Sequence, residues 1–217
     1  TPHETIPFDK ITLADYEEAM LEGIRREDEQ IEKTINDLEE PTFENTLIRE
    51  DEVKGRKHYY DLLSRVESAF FNMLSAETND EMDALAQKMN PILTKHANDI
   101  SLNPKLFERI KAVYNNHREL TPEENKLLEE SYDGFVRSGA LLNETDKEKL
   151  RKLTEEASML ALKFSQNVLK ENKVYKLHIT NEERLEGLPD SIREAAAATA
   201  KEQGLEGWIF TLDAPSY

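Results

Sequence analysis

The sequence predicts a mainly α fold: a multi-helix bundle of long antiparallel helices with a small two-stranded β element near the C-terminus. Three observations lead there. Of the 217 residues, 38% are hydrophobic and 34% are charged, a balance that suits long helices with one wet face better than a thick layered sheet. Glycine is scarce, at 7 residues, which disfavours a loop-rich or β-rich chain. Apolar residues recur at steps of three and four through most of the chain before Asn172.

The elements follow in order. After the short segment Thr1–Ile11, Thr12 with Asp15 forms a capping-box variant. Tyr16, Met20, Ile24, Ile31, Ile35 and Leu38 then place a helix that ends near Glu39-Glu40, before Pro41. Thr42 caps a second helix through Leu47, Leu62, Leu63, Val66, Phe70, Phe71, Met73 and Leu74. Unbroken to Ser75 it would be roughly 50 Å long, with Gly55 weakening its middle. Thr78 with Glu81 is a capping box for a third helix carrying Met82, Leu85, Met89, Ile92 and Leu93, which Pro91 should kink or divide.

Asn103-Pro104 is an N-cap with proline at the first helical position, opening a short helix with Leu106, Phe107, Ile110, Val113 and Tyr114. Thr121-Pro122 with Glu124 opens another, bearing Leu127, Leu128, Tyr132, Phe135 and Val136. Thr145 with Glu148 opens the longest clean repeat, Leu150, Leu153, Ala157, Leu160, Phe164 and Val168, a seam of the kind that joins antiparallel helices. Val174, Leu177 and Ile179 then suggest a short strand, and Gly187-Leu188-Pro189 a break. An alanine-rich helix from Asp190 to Gln203 is closed by Gly204, and a strand at 207–212 carries the only tryptophan, Trp208. This divides the chain into a helical bundle, 1-173, and a β-α-β element, 174-217, whose two strands can pair. A strand and a large aromatic so close to Tyr217 also read as a piece of a larger protein.

Bulk charge narrows the function. The net charge of -17, from 28 Lys+Arg against 45 Asp+Glu, repels a phosphate backbone, so no nucleic-acid partner is expected. There are no cysteines, which excludes disulfides, thiolate zinc sites and cysteine nucleophiles. No apolar run is long enough for a membrane span, and no signal peptide is visible at Thr1. Cytoplasmic and periplasmic locations both fit.

A search for chemistry finds little. His3, His58, His96, His117 and His178 are isolated, with no His-x-x-x-His or Glu-x-x-His pair. His3-Glu4-Thr5-Ile6-Pro7 begins like the helix-borne zinc motif but has Pro7 in place of its second histidine. Each histidine is read as a surface or packing residue. Ser131, Ser158 and Ser165 hold ordinary helix positions without a nucleophile elbow. Runs such as Glu27-Asp28-Glu29 read as solvated faces rather than acid/base couples. Lys54, Arg56, Lys57 and His58 with Tyr59-Tyr60 form the one basic-aromatic cluster, read as ion pairing to acidic helices. No catalytic or metal-ligating set emerges.

More specific is the string Pro41-Thr42-Phe43-Glu44-Asn45-Thr46. It resembles the start of the second long helix in the thimet-oligopeptidase-like zinc metallopeptidases, nearest the bacterial peptidyl-dipeptidase (dipeptidyl carboxypeptidase) branch. Further landmarks match in order: Pro7-Phe8-Asp9-Lys10-Ile11 with Asp15-Tyr16, Ala76-Glu77-Thr78-Asn79, Leu106 to Ile110, Phe135 to Ala140, Phe164 to Leu169, Gly187-Leu188-Pro189 and Trp208 to Ser216. The resemblance covers essentially the whole chain. It implies an almost wholly helical parent with two halves flanking a deep channel. It also implies a zinc cofactor held by a His-Glu-x-x-His helix and a downstream glutamate, and release of C-terminal dipeptides from short oligopeptides. No position here matches those catalytic residues. The chain would be the non-catalytic N-terminal portion, walling the channel and restricting access by size. Its partners would be the C-terminal catalytic portion of the same polypeptide and the parent's oligopeptide substrates, and alone it is expected to dimerise. The alternative is a self-sufficient helical interaction or scaffold module without enzymatic activity.

Overall fold

A computed structural model describes residues 6–48, 51–53, 56–58, 62–76, 78–116 and 120–212, with backbone only at 51–53 and 56–58. The chain forms two compact units, Thr1–Ala161 and Leu162–Tyr217. Among the described residues there are eight α-helices and two antiparallel two-stranded ribbons. The mainly α class and the small β element near the C-terminus are both as the sequence predicts.

In the first unit, α1 (Leu13–Ile35) starts at a complete capping box: Asp15 N–H donates to the Thr12 hydroxyl, and Thr12 N–H donates to the Asp15 carboxylate. The helix stops four residues short of the expected Glu39. Asn36 takes a non-helical conformation and donates its side chain to the Glu32 carbonyl, while Asp37 accepts from Glu39 N–H in a local turn. Such side-chain bonds offer the backbone an alternative to helix. Leu38 is consequently left in solvent.

The long second helix is not formed. In its place are α2 (Phe43–Leu47), a hairpin of β1 (Asp51–Val53) and β2 (Arg56–His58), and α3 (Leu62–Ala76). Asp51 faces His58, Glu52 faces Lys57 and Val53 faces Arg56 in its register. Between Ile48 and Leu62 the only aliphatic side chain is Val53, so no periodic apolar face exists to hold a helix against a core. The capping box on Thr42 is nonetheless present, with Asn45 as its return partner.

Helix α4 (Asp80–Ser101) runs continuously through Pro91, and its cap is Asn79, which accepts from Met82 N–H. The expected cap, Thr78, donates instead to Asp83. Helices α5 (Pro104–Asn116) and α6 (Pro122–Arg137) begin at Asn103 and Thr121 as expected. Helix α7 (Glu144–Val174) starts at Asn143, which accepts from Asp146 N–H, so Thr145 already lies inside it.

Packing centres on α1, which contacts α3, α4 and α5, while α2 sits against α5 and α6. Met20, Phe70 and Met89 are fully enclosed, each burial contributing about 1.5–3 kcal/mol. Ile31, Leu106 and Ile110 form one cluster with Tyr132 and Phe135 beside them; Phe43, Val113 and Leu128 form another. The α1–α3 crossing is tight. A Cβ on Gly23 would lie 2.8 Å from the Leu63 backbone.

The α7 repeat is not a core seam. In the first unit Leu153 and Leu160 are 62% and 60% exposed. In the second unit Phe164 and Val168 are 71% and 43% exposed.

The second unit holds the end of α7, β3 (Leu177–Ile179), a 3-10 turn (Glu182–Leu185), α8 (Asp190–Glu202) and β4 (Trp208–Phe210). Strand β3 begins later than Val174 because α7 extends that far. The strands pair antiparallel, Leu177 with Phe210 and Ile179 with Trp208. Ile179, Leu185, Ala196 and Phe210 form the core here, flanked by Ile192 and Trp208. Gly207 enters β4 at φ +94, with room for no Cβ because the Ile179 carbonyl would lie 2.4 Å away.

Two contrasts test this packing by urea denaturation. Gly23→Ala should cost about 1–3 kcal/mol through backbone overlap, whereas Gly134→Ala, which meets open space on α6, should gain about 0.5–1 kcal/mol. Leu153→Gln and Leu160→Gln should each change stability by less than about 0.5 kcal/mol; a buried seam would lose about 2–5 kcal/mol on truncation.

Candidate functional site

Among the described histidines, His96 on α4 is the enclosed one. Its side chain is 7% exposed, and its two ring nitrogens meet two different carboxylates of α1. Nε2 lies 3.0 Å from Glu27 Oε2 and Nδ1 lies 3.2 Å from Asp28 Oδ1. Only an imidazolium can donate at both nitrogens. The hydrogen bond to Glu27 raises the His96 pKa above its ordinary value. Burial opposes that shift, and the charges of Glu27, Asp28 and Asp99 add to it.

The acidic run is therefore not wholly a solvated face, since Glu27 and Asp28 clamp a histidine brought from α4. Glu29 does behave as the sequence suggested, pairing with Arg25 on the outer face. Beside it, hydrogen bonds from Arg25 and then Arg26 hold the Glu22 carboxyl down to about 2.

A second polar cluster joins α4 to α7 within the first unit. Asn98 Nδ2 donates to Thr154 Oγ1 at 2.8 Å, Thr94 Oγ1 to Ser158 Oγ at 2.9 Å, and Asn90 Nδ2 to Ser158 Oγ at 3.2 Å. Arg151 Nη1 closes the ladder on Asp99 Oδ1 at 2.6 Å. Residues 90, 94 and 98 recur at four-residue steps, as 154 and 158 do, so the same periodicity that marks an apolar face also marks this polar one. Apolar periodicity alone does not reveal it.

The other residues singled out in the sequence are not gathered into a site. His3, His117 and Tyr59-Tyr60 lie outside the described residues, and His58 is described only as part of β2. The same holds for the rest of the basic-aromatic cluster: Lys54 lies outside the described residues, and Arg56 and Lys57 are backbone only. His178 Nε2 meets the Glu206 carbonyl at 2.7 Å, tying β3 to the chain before β4. Ser158 is committed to α4, and Ser165 is exposed.

Among the described residues, no group of three or more His, Cys, Asp and Glu is placed to hold a metal ion. His96 illustrates why: both nitrogens are taken by separate carboxylates. These residues do not fit a zinc centre. Among the described residues, no helix is long and apolar enough to cross a membrane.

The His96 node makes stability depend on pH. With its folded pKa raised, its contribution is fully present below the ordinary imidazole value of 6.5 and is lost as pH rises through the folded value. Chemical denaturation should show stability falling above pH 6.5. His96→Gln should flatten that slope and cost about 1–3 kcal/mol at lower pH.

Comparison with known proteins places this architecture. No protein-family model matches the chain. The dipeptidyl carboxypeptidase of Salmonella typhimurium is 35% identical over 214 residues, covering 97% of this chain and 31% of that protein. The dipeptidyl carboxypeptidase of Escherichia coli is 34% identical, covering 97% of this chain and 30% of its own length. Oligopeptidase A of Escherichia coli is 25% identical over 219 residues. The chain spans about a third of the length of the curated relatives it matches. It is a sequence relative of the dipeptidyl carboxypeptidases, and more distantly of the oligopeptidase A proteins, over nearly all of its own length.

Proposed function

We propose that this chain is the non-catalytic N-terminal portion of a zinc-dependent peptidyl-dipeptidase. In this reading it forms a wall of the substrate channel and admits extended peptides while excluding folded proteins. The observation that carries it is the 35% identity to a dipeptidyl carboxypeptidase over 97% of the chain. The site chemistry is in accord: among the described residues the enclosed histidine, His96, lies between two carboxylates, and the Asn and Thr side chains of the α4–α7 ladder bond one another. What such a segment contributes is shape, and selection by shape rejects wrong substrates through clashes rather than through contacts.

Exposed Leu153 and Leu160 support the partner part of the reading. Bare leucines spaced seven apart on one helix are the pattern that a neighbouring helix covers. The catalytic portion of the same polypeptide is the proposed cover, and the isolated chain is expected to self-associate there instead. The scaffold alternative gives the same surface to an unrelated partner.

Incubation of the purified 217-residue chain with short peptides and added zinc should release no dipeptide; hydrolysis would contradict the non-catalytic assignment. The reading frame should continue beyond Tyr217 for several hundred codons and encode His-Glu-x-x-His. A stop codon there would favour the scaffold.

A further inference from the structure

The first unit contains a cavity of about 390 Å³ between the segment before α1, α1 itself and α3. This volume lies in the range of small-molecule sites, which are largely apolar with a few placed polar groups. Its walls are largely aliphatic, with Ile6, Leu62 and Val66 among them, and among the described lining residues the polar ones are Asp15, Tyr16 and Arg65.

Each polar group has a distinct status. Tyr16 is 8% exposed, its ring set 5.3 Å from that of Phe70. Burial raises its pKa, so the phenol keeps its proton and remains a donor. Its hydroxyl makes no hydrogen bond among the described residues and is not one of the buried unpartnered atoms, so it is open to the cavity and its solvent. Arg65 is exposed at its place on α3 and has no ion pair among the described residues. Asp15 caps α1 through one carboxylate oxygen, Oδ2, leaving the other able to accept.

A largely apolar cavity that carries, among the described residues, one cation, one anion and one accessible phenol suits a ligand that is aliphatic and bears both charges. A simple anion fits less well, since it must enter against a net charge of -17 and sit in a cavity that also contains Asp15. We propose that this cavity binds an aliphatic amino-acid zwitterion, either a free amino acid or a dipeptide. Its carboxylate sits on the Arg65 guanidinium, its ammonium faces Asp15, and Tyr16 donates to a ligand oxygen. Arginine grips a carboxylate through two parallel hydrogen bonds, which makes it the orienting group.

Binding is measured without hydrolysis, so it stands or falls separately from the peptidase reading. Isothermal titration calorimetry of the 217-residue chain with leucine and with leucyl-leucine should give saturable binding at about millimolar Kd or tighter for at least one of them. The tighter of the two identifies the natural size. N-acetyl-leucyl-leucine, leucyl-leucine amide and octanoate each lack one charge or the peptide frame, and should bind about tenfold more weakly. Arg65→Gln should weaken binding about tenfold or more, and Tyr16→Phe, which keeps the ring on Phe70, about threefold. The proposal is overturned if neither zwitterion saturates, if octanoate binds as tightly as leucyl-leucine, or if Arg65→Gln leaves the affinity unchanged.

Discussion

The first unit depends on how closely α1 and α3 approach each other. Gly23 has no side chain, so the Leu63 backbone can rest against α1 where any Cβ would overlap it. That contact brings Met20 and Phe70 into one enclosed interior and sets the Tyr16 ring against Phe70. From the same helix, Ile31 reaches the cluster with Leu106 and Ile110 on α5, and Glu27 and Asp28 reach His96 on α4. One helix thus serves three neighbours with three different surfaces. Close packing makes this economical and unforgiving, because a core cannot absorb even one added methyl without moving something.

Helix α4 divides its chemistry by face. Met82, Leu85, Met89 and Leu93 are buried, whereas Asn90, Thr94 and Asn98 are bonded to α7. Joining helices through hydrogen bonds contributes less per contact than apolar burial, about 0.5–1.5 kcal/mol each. It also demands that each donor meet its acceptor, so the register of α7 against α4 is specified residue by residue. Leu153 and Leu160 on α7 remain exposed.

Much of this was legible in the sequence. Capping signals located the starts of α1, α2, α5 and α6 because the cap chemistry is local and needs only a few residues. The pairing of β3 with β4 was legible because two short apolar strands flank one helix. Failures came where a local signal had a stronger local rival. Asn79 displaced Thr78, Asn143 displaced Thr145, and Asn36 with Asp37 ended α1 early. The long second helix failed because apolar residues on either side of 48–62 were joined across a gap that has almost none. The α7 repeat was read as a seam of the kind that joins antiparallel helices; α7 does join α4, but through Thr154 and Ser158 rather than through Leu153 and Leu160, since periodicity reports a face but not what lies opposite it. The His96 clamp joins residues 69 apart in sequence, beyond anything that spacing reveals. The Tyr16 cavity is illegible for the same reason, since its walls at 6–19 and 62–69 meet only in the fold.

Relatedness to dipeptidyl carboxypeptidase and the exposed leucines of α7 are the two observations behind the proposal that this face is covered in a longer polypeptide. Hydroxyl-radical footprinting of Leu153 and Leu160 tests this most directly. It should be carried out on the isolated chain at low concentration and on a polypeptide of the relatives' full length. The account predicts ready labelling in the isolated chain and protection in the longer one, with Met20 and Met89 protected in both. Equal labelling of the two leucines in both proteins would contradict it.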